Sequence, residues 1–406
     1  MHSASRIYFI LLLIAGGLPS YASAATFIKI ADTQTPVPGG VPGEVFSDGF
    51  ANPIASDGIV IFAGSVGIYE WDAGSLSVIA DNKTDIPGTS SAFSSFNDLF
   101  SASNGNLAFG SGGGIYARLS GALTNIVNIS SPVPGFAGTF NTFNPPSISG
   151  VNVAFSASAT QRFTSQVGIY SRLNQGPLNL IANNQTPAPS GTGNLSSFGT
   201  PVISGTDVIF SAYGPSVSPA IYSNPDGAGN ALVTLVAPNT SIPGGTGSFT
   251  NITGLSASGS NIAFIGTGTN NQRGLYADFN NILFPIVDAS TLIPDGSGDT
   301  FSANSLLGFS LNGNNFAFTA GSGPQSGIYL DEDGILSKVL TVGDTLDGKI
   351  VSDLSLTSNA LDGSDLAFTV DFTDHSSAVY LAVIPEPGTF AIFVIVSCPI
   401  FCRRWR

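Results

Sequence analysis

The sequence predicts an all-β protein folded as a seven-bladed β-propeller, and three observations carry the prediction. A Gly-Ile-Tyr-like triplet recurs seven times, its tyrosines at Tyr69, Tyr116, Tyr170, Tyr222, Tyr276, Tyr329 and Tyr380. The steps between them are 47, 54, 52, 54, 53 and 51 residues, which is the length of a propeller blade and not of a β-solenoid coil. The two ends of the chain carry matched deficits: a lone strand, Phe27 to Ala31, opens it, and the seventh unit stops after Tyr380 with three strands. Composition excludes the main alternatives. With 9% charged residues, 49 glycines and 25 prolines, long amphipathic helices have little raw material. A hydrophobic content of 43%, including 29 phenylalanines, is too high for a disordered chain.

Each unit reads as four strands in order. The first is an entry strand, as in Pro146-Ser147-Ile148-Ser149. The second closes on a phenylalanine (Phe62, Phe109, Phe155, Phe210, Phe264, Phe318, Phe368) and has the apolar run of a buried strand. The third carries the triplet, whose glycine fits a close approach or bulge. The fourth, for example Leu76 to Ala80, leads into Ile86-Pro87-Gly88, a turn in which proline presets φ and glycine accepts a positive one. Four strands make a propeller blade, and the first strand would complete the seventh, leaving no unpaired long edge. Aromatic residues recurring once per blade read as packing between neighbouring blades rather than as a sugar-stacking row.

The chain ends read as targeting segments flanking a body of residues 25–384. Residues 1–24 have a basic start ending at Arg6, an apolar run from Ile7 to Leu18 and a small-x-small site, Ala22-Ser23-Ala24, before Ala25; this predicts a signal helix for the Sec export machinery, cleaved there. Residues 385–406 read Pro385-Glu386-Pro387-Gly388, then an apolar helix to Cys402, then the basic tail Arg403, Arg404 and Arg406 around Trp405. The 15 residues from Gly388 to Cys402 span about 22 Å as helix against a hydrocarbon core of about 30 Å. The basic end stays cytoplasmic. A temporary hold in the inner membrane suits this segment better than a permanent span.

Pro385-Glu386-Pro387, an apolar helix and an arginine-rich end, in that order, resemble the PEP-CTERM sorting signal of Gram-negative bacteria. The resemblance implies processing by an exosortase, a membrane cysteine protease-transpeptidase acting near the Pro-Glu-Pro, delivery to the cell surface or extracellular matrix, and a link to exopolysaccharide and biofilm. The repeats are similar to the uncharacterised propeller-like repeats of PEP-CTERM proteins, which carry no known activity.

The body offers little catalytic chemistry. Both cysteines, Cys398 and Cys402, lie in the C-terminal apolar segment, so no disulfide, thiolate nucleophile or cysteine-ligated zinc is expected in the body. Its single histidine, His375, falls in the polar stretch Asp371 to Ser376 and reads as a solvated loop residue. No catalytic, cofactor-binding or metal-binding residue is assigned. Asp295 to Asp299 and Asp331 to Gly334 read as Asp-Gly turns and not as calcium loops.

Charge is uneven. The whole chain is −14; removing residues 1–24 and the last four takes away Arg6, Arg403, Arg404 and Arg406 and no acid, leaving −18, which excludes nucleic acid as a partner. No Asp or Glu occurs between Asp98 and Asp207, whereas Asp278 to Asp374 holds 14 acids and two lysines. Two functional readings follow. One is a non-catalytic surface or matrix scaffold binding exopolysaccharide or surface partners. The alternative is a secreted glycan hydrolase or lyase using carboxylates brought together at the channel.

Overall fold

The computed structural model describes residues 25–385, apart from 48, 66, 97–99, 163, 190–192, 238, 270–271, 297, 303–305 and 322. Its strands form seven antiparallel sheets, one per Tyr triplet, and hence a seven-bladed β-propeller. Blades 1 to 6 are residues 50–81, 100–128, 140–183, 197–236, 249–288 and 309–341. Blade 7 combines residues 345–383 with the first strand, Thr26–Asp32, which pairs with Ser377–Val383 so that Lys29 faces Tyr380. The ring is closed by its two ends. Among the described residues there is no α-helix, only a 3-10 turn at Gly323–Gln325. The expected signal helix and C-terminal apolar helix lie outside the described residues.

The repeat dictates the packing. In every blade the Phe of the second strand lies directly opposite the Tyr of the third: Phe62 opposite Tyr69, Phe155 opposite Tyr170, Phe368 opposite Tyr380. Seven apolar clusters fill the seven spaces between blades. One joins Ile115 and Ala117 of blade 2 to Phe140, Phe155 and Tyr170 of blade 3, and another joins Val379 of blade 7 to Phe62 and Tyr69 of blade 1. Each such aromatic, removed fully from water, stabilises the ring by about 1.5–3 kcal/mol.

A third aromatic, which the repeat markers do not include, completes five of the seven units. Phe46, Phe93, Phe140, Phe249 and Phe301 each meet the blade's tyrosine edge to face with ring centroids 4.9–5.0 Å apart, the arrangement the ring quadrupoles favour. Leu195 and Leu346 hold the place in the clusters of blades 4 and 7.

The triplet glycine follows from a bulge. In blade 1, Ile68 pairs with Ala80 but Tyr69 pairs with Val78, so the outer strand carries one extra residue, and the same shift recurs in every blade. It draws the outer strand inward: a Cβ on Gly67 would lie 2.7 Å from the Ala80 carbonyl oxygen, and one on Gly274 2.8 Å from that of Val287. Blades 4 and 7 carry Ala220 and Ala378 instead: in blade 4 the outer strand Val233–Val236 ends before reaching the alanine, whereas in blade 7 Ala378 pairs with Asp32 and the closing strand accommodates the methyl.

Four strands per blade is an approximation at the inner edge. The inner strand of blade 3 is split into Phe140–Phe143 and Ser147–Ser149, and that of blade 4 into Ser197–Phe198 and Val202–Ser204. Pro145-Pro146 and Pro201 lie at the breaks, where missing N–H groups cannot continue the ladder.

Candidate functional site

The inner strands surround a central channel of about 890 Å³ to which all seven blades contribute, from Asn52 of blade 1 to Thr357 of blade 7. Strand direction fixes its orientation. The lining comes from the starts of the inner strands and from the hairpins between second and third strands, including Tyr213 and Arg273, so the mouth lies on the face that also carries the turns between blades.

Part of the lining is committed to holding the ring. Ile148 N–H donates to Ser101 Oγ (3.2 Å) and Ile203 N–H to Ser147 Oγ (3.1 Å). Leu311 N–H donates to Ser256 Oγ (3.2 Å), and Leu361 N–H to Ser310 Oγ (3.1 Å). In each case a hydroxyl of one inner strand takes the backbone of the next blade. Two residues on, Ser103, Ser149 and Ser258 accept the N–H of Gly150, Gly205 and Gly313 in the same way. At the junction of the chain's ends, Asp57 N–H donates to Asp362 Oδ2 (2.6 Å) and Thr357 Oγ1 to the Pro53 carbonyl (3.1 Å). Buried polar groups are expensive unpaired, so these latches orient the blades about the axis.

What remains facing the channel is polar, apolar and almost uncharged. Thr200, Asn251 and Thr253 are exposed in it, and Tyr213 and Leu307 are 52% and 78% exposed although the channel surrounds them. Phe198 lies beside Tyr213 in the ladder, paired with Ala212. Among the described lining residues there is no Asp, Glu, His or Cys. The single cation is Arg273, whose Nη2 donates to the Leu306 carbonyl at 3.0 Å.

The carboxylates lie elsewhere, in structural roles. Asp32, Asp81 and Asp288 open the turns after outer strands, each accepting the N–H two residues on and the hydroxyl three residues on; Asn128 and Asn183 do the same. Burial opposes ionisation of Asp288, yet the bonds from Ser290 and Thr291 hold its carboxyl below the usual range. Asp207, Asp278, Asp331 and Asp365 are pushed up, chiefly by burial, and lie at strand ends on the face opposite the channel mouth. Asp333 and Gly334, both at positive φ, form the two-residue hairpin the sequence predicts between Gly327–Glu332 and Ile335–Thr341. His375 is exposed in the turn between Asp365–Phe372 and Ser377–Val383, as expected. No group of three or more His, Cys, Asp or Glu that could hold a metal occurs among the described residues.

Of the targeting residues, Ala25 and Pro385 are described; Ala22, Ala24, Glu386, Pro387, Arg403, Arg404 and Arg406 lie outside the described residues. Ala25 is partly buried against the core of blade 7, and Pro385 is exposed. Because Thr26 pairs with Val383, the predicted cleavage site and the predicted sorting motif flank the same pair of strand ends. No helix among the described residues is long and apolar enough to cross a membrane.

The profile of DUF7453 matches residues 63–252, from blade 1 to the start of blade 5. It is a family of unknown function. No curated protein matches the chain. Similar solved structures include an extracellular domain assigned to a hybrid two component system of B. thetaiotaomicron, with a TM-score of 0.40 and 12% identity over 87% of this chain and 39% of that one. The chain thus spans well under half of that protein. The β-propeller domain of the Trilobed protease from Pyrococcus furiosus gives 0.47 and 8% identity over 82% and 94%. The polysaccharide lyase Uly1 gives 0.47 and 10% identity over 89% and 99%.

The sequence markers found the packing and missed the site. The latching serines were visible as Ser-x-Ser or Ser-x-Asn ahead of four of the seven Phe strands, at Ser101, Ser147, Ser256 and Ser310. Tyr213 and Arg273 have no repeat signature, since each occurs in one blade only.

Proposed function

We propose that this is an exported, non-catalytic scaffold of the cell surface or extracellular matrix that binds polysaccharide through its central channel. The observation carrying the reading is the lining: amides, hydroxyls and aromatic or apolar faces contributed by all seven blades, with no carboxylate or imidazole among the described residues. Such a surface hydrogen-bonds sugar hydroxyls and covers their apolar faces, while offering no acid and base to cleave a glycosidic bond. A glycan array read for both binding and product release tests it. Binding without release is expected; release of shortened products would establish the secreted hydrolase or lyase instead.

Delivery is proposed to use Sec export with cleavage after Ala24, a transient hold in the inner membrane, and exosortase processing at Pro385-Glu386-Pro387. The rigid prolines cannot continue a helix and so present extended, accessible backbone beside the membrane. Replacing the three residues with alanines should trap the protein in the inner membrane with its body folded, as read by fractionation and mass spectrometry of the mature C-terminus. Wild-type surface protein still carrying Arg403 to Arg406 would overturn the sorting assignment.

A further inference from the structure

The channel mouth is not seven-fold uniform. In blades 1, 2 and 6 the second and third strands are six residues long, as in Ile59–Gly64 with Gly67–Asp72. In blades 3 to 5 they lengthen: Asn152–Gln161 with Thr164–Arg172, Asp207–Gly214 with Val217–Asn224, and Asn261–Gly268 with Arg273–Phe279. Because the extra residues lie at the hairpin end, blades 3 to 5 raise a continuous wall along one side of the mouth, while blade 7, equally long in Asp365–Phe372 and Ser377–Val383, rises alone between the short blades 6 and 1. Tyr213 is at the tip of the blade 4 hairpin, and Arg273 opens the third strand of blade 5.

Arg273 is set apart by its place. Lys29, Arg118, Lys338 and Lys349 form ion pairs, Arg172 is engaged by the carbonyls of Asn125, Ile126 and Gly176, and Lys83 donates to the Gly39 carbonyl. Arg273, like Lys83, is held by one carbonyl and has no ion pair with any described residue, but it is the charged side chain among the described residues that line the cavity. The bond to Leu306 fixes one arm of a planar guanidinium whose five donors suit a flat, two-oxygen anion. The strong negative charge of the body stays off the cavity on this side. Blade 3 contains no acid, and no acid of blades 4 and 5 is among the described lining residues; Asp207 and Asp278 lie at strand ends on the opposite face, and Asp288 opens the turn after the outer strand.

We propose that the wall of blades 3 to 5 is a subsite for an acidic sugar, its anionic substituent held by Arg273 and the apolar face of its ring covered by Tyr213. This deepens the polysaccharide reading and rests on it. The anion is a carboxylate or a sulfate ester, both of which the guanidinium fork accepts with paired, charge-assisted hydrogen bonds. Neutral hydroxyl contacts to Thr200, Asn251 and Thr253 leave the rest of the chain free of a charge requirement.

Calorimetric titration of the protein with oligogalacturonate, fully methyl-esterified oligogalacturonate, a sulfated galactan oligosaccharide and a neutral cello-oligosaccharide tests this. At least one anionic ligand should bind roughly tenfold or more tighter than the uncharged ones, the scale of one charge-assisted pair. The uronate and sulfate arms identify which anion is used. Arg273→Gln should abolish that preference, bringing the anionic ligand to the affinity of the uncharged ones, Arg273→Lys should retain part of it, and Tyr213→Ala should weaken all ligands that bind. Equal affinity for the acid and its methyl ester, with no gain for sulfate, would overturn the subsite while the polysaccharide reading stood. No binding by any of the four would overturn both. The ester comparison uses unaltered protein, so misfolding of a variant cannot obscure the result.

Discussion

Thr26 lies opposite Val383 in an antiparallel ladder, so the first strand of the chain is the outermost strand of its last blade. Ile30 and Ala31 of that strand are 6% and 1% exposed, packed with Val379 and Leu381 against blade 1. Deleting residues 25–32 should therefore lower the melting temperature of the whole ring in one transition, and Ile30→Ala alone should cost about 2–5 kcal/mol. A calorimetric scan unchanged by the deletion would show that the ring does not depend on this closure.

The edge-to-face contact of Phe140 with Tyr170, centroids 5.0 Å apart at 84°, gives a graded prediction. Phe140→Ala should destabilise by about 3–5 kcal/mol in urea unfolding, as a buried aromatic does. Phe140→Leu should cost less than about 1.5 kcal/mol, because Leu195 already occupies the equivalent place in blade 4. Equal losses for the two variants would contradict a packing role.

Ser310 Oγ donates to the Ser358 carbonyl at 3.1 Å and accepts from Leu361 N–H at 3.1 Å. Ser310→Ala leaves the buried Leu361 N–H unpaired, at a cost of about 1–3 kcal/mol, while the Ser358 carbonyl keeps the bond from Ser256 Oγ. Hydrogen exchange should report the lesion locally, with the Leu361 amide losing protection before its neighbours in blade 7.

Alkaline pH should unfold the protein through its triplet tyrosines. Burial, with the charge of Asp81, Asp288 or Asp344 nearby, pushes Tyr69, Tyr276 and Tyr329 up to about 12, and Tyr380 is raised as well. A folded-state pKa above the unfolded value near 10 means the native state holds the phenolic proton longer. Their stabilisation is complete below pH 10 and declines as pH rises toward 12. Thermal scans between pH 9 and 12 should fall steeply in that window, and a flat profile would contradict it.

Asp331 gives the opposite design. Burial first, then Asp333, raises its carboxyl pKa, so its neutral form suits the folded state and its charge at pH 7 destabilises it. Asp331→Asn keeps an oxygen for the Gly334 N–H, now 2.9 Å from Oδ1, and should raise the melting temperature at pH 7. The gain should vanish below about pH 3.8, where both side chains are neutral. A gain independent of pH would point to a cause other than charge.

The blades were legible in the sequence because packing between blades repeats: the same Phe, Ile and Tyr meet the same neighbours seven times, so selection by burial writes a period into the chain. The inner strands were less legible. Ser147–Ser149 is three residues long and faces a wet channel, so neither length nor alternation marks it as a strand. The site was least legible for a related reason. Tyr213 and Arg273 gain their meaning from departing from the repeat, and only the ring brings a residue of blade 4 and a residue of blade 5 to one mouth.

The direction of the last strand has a consequence for anything the chain is fixed to. Ser377–Val383 starts at the hairpin face and ends at the opposite one, where Thr26 begins and Pro385 leaves. A tether continuing from Pro385 therefore holds the disc from beneath. The channel mouth, with Arg273 and Tyr213, points outward from that support by the height of one strand, roughly 20 Å for seven residues. Under the proposed attachment, a ligand arriving from the medium would meet the open mouth first, and neighbouring copies on one support would present their mouths in parallel.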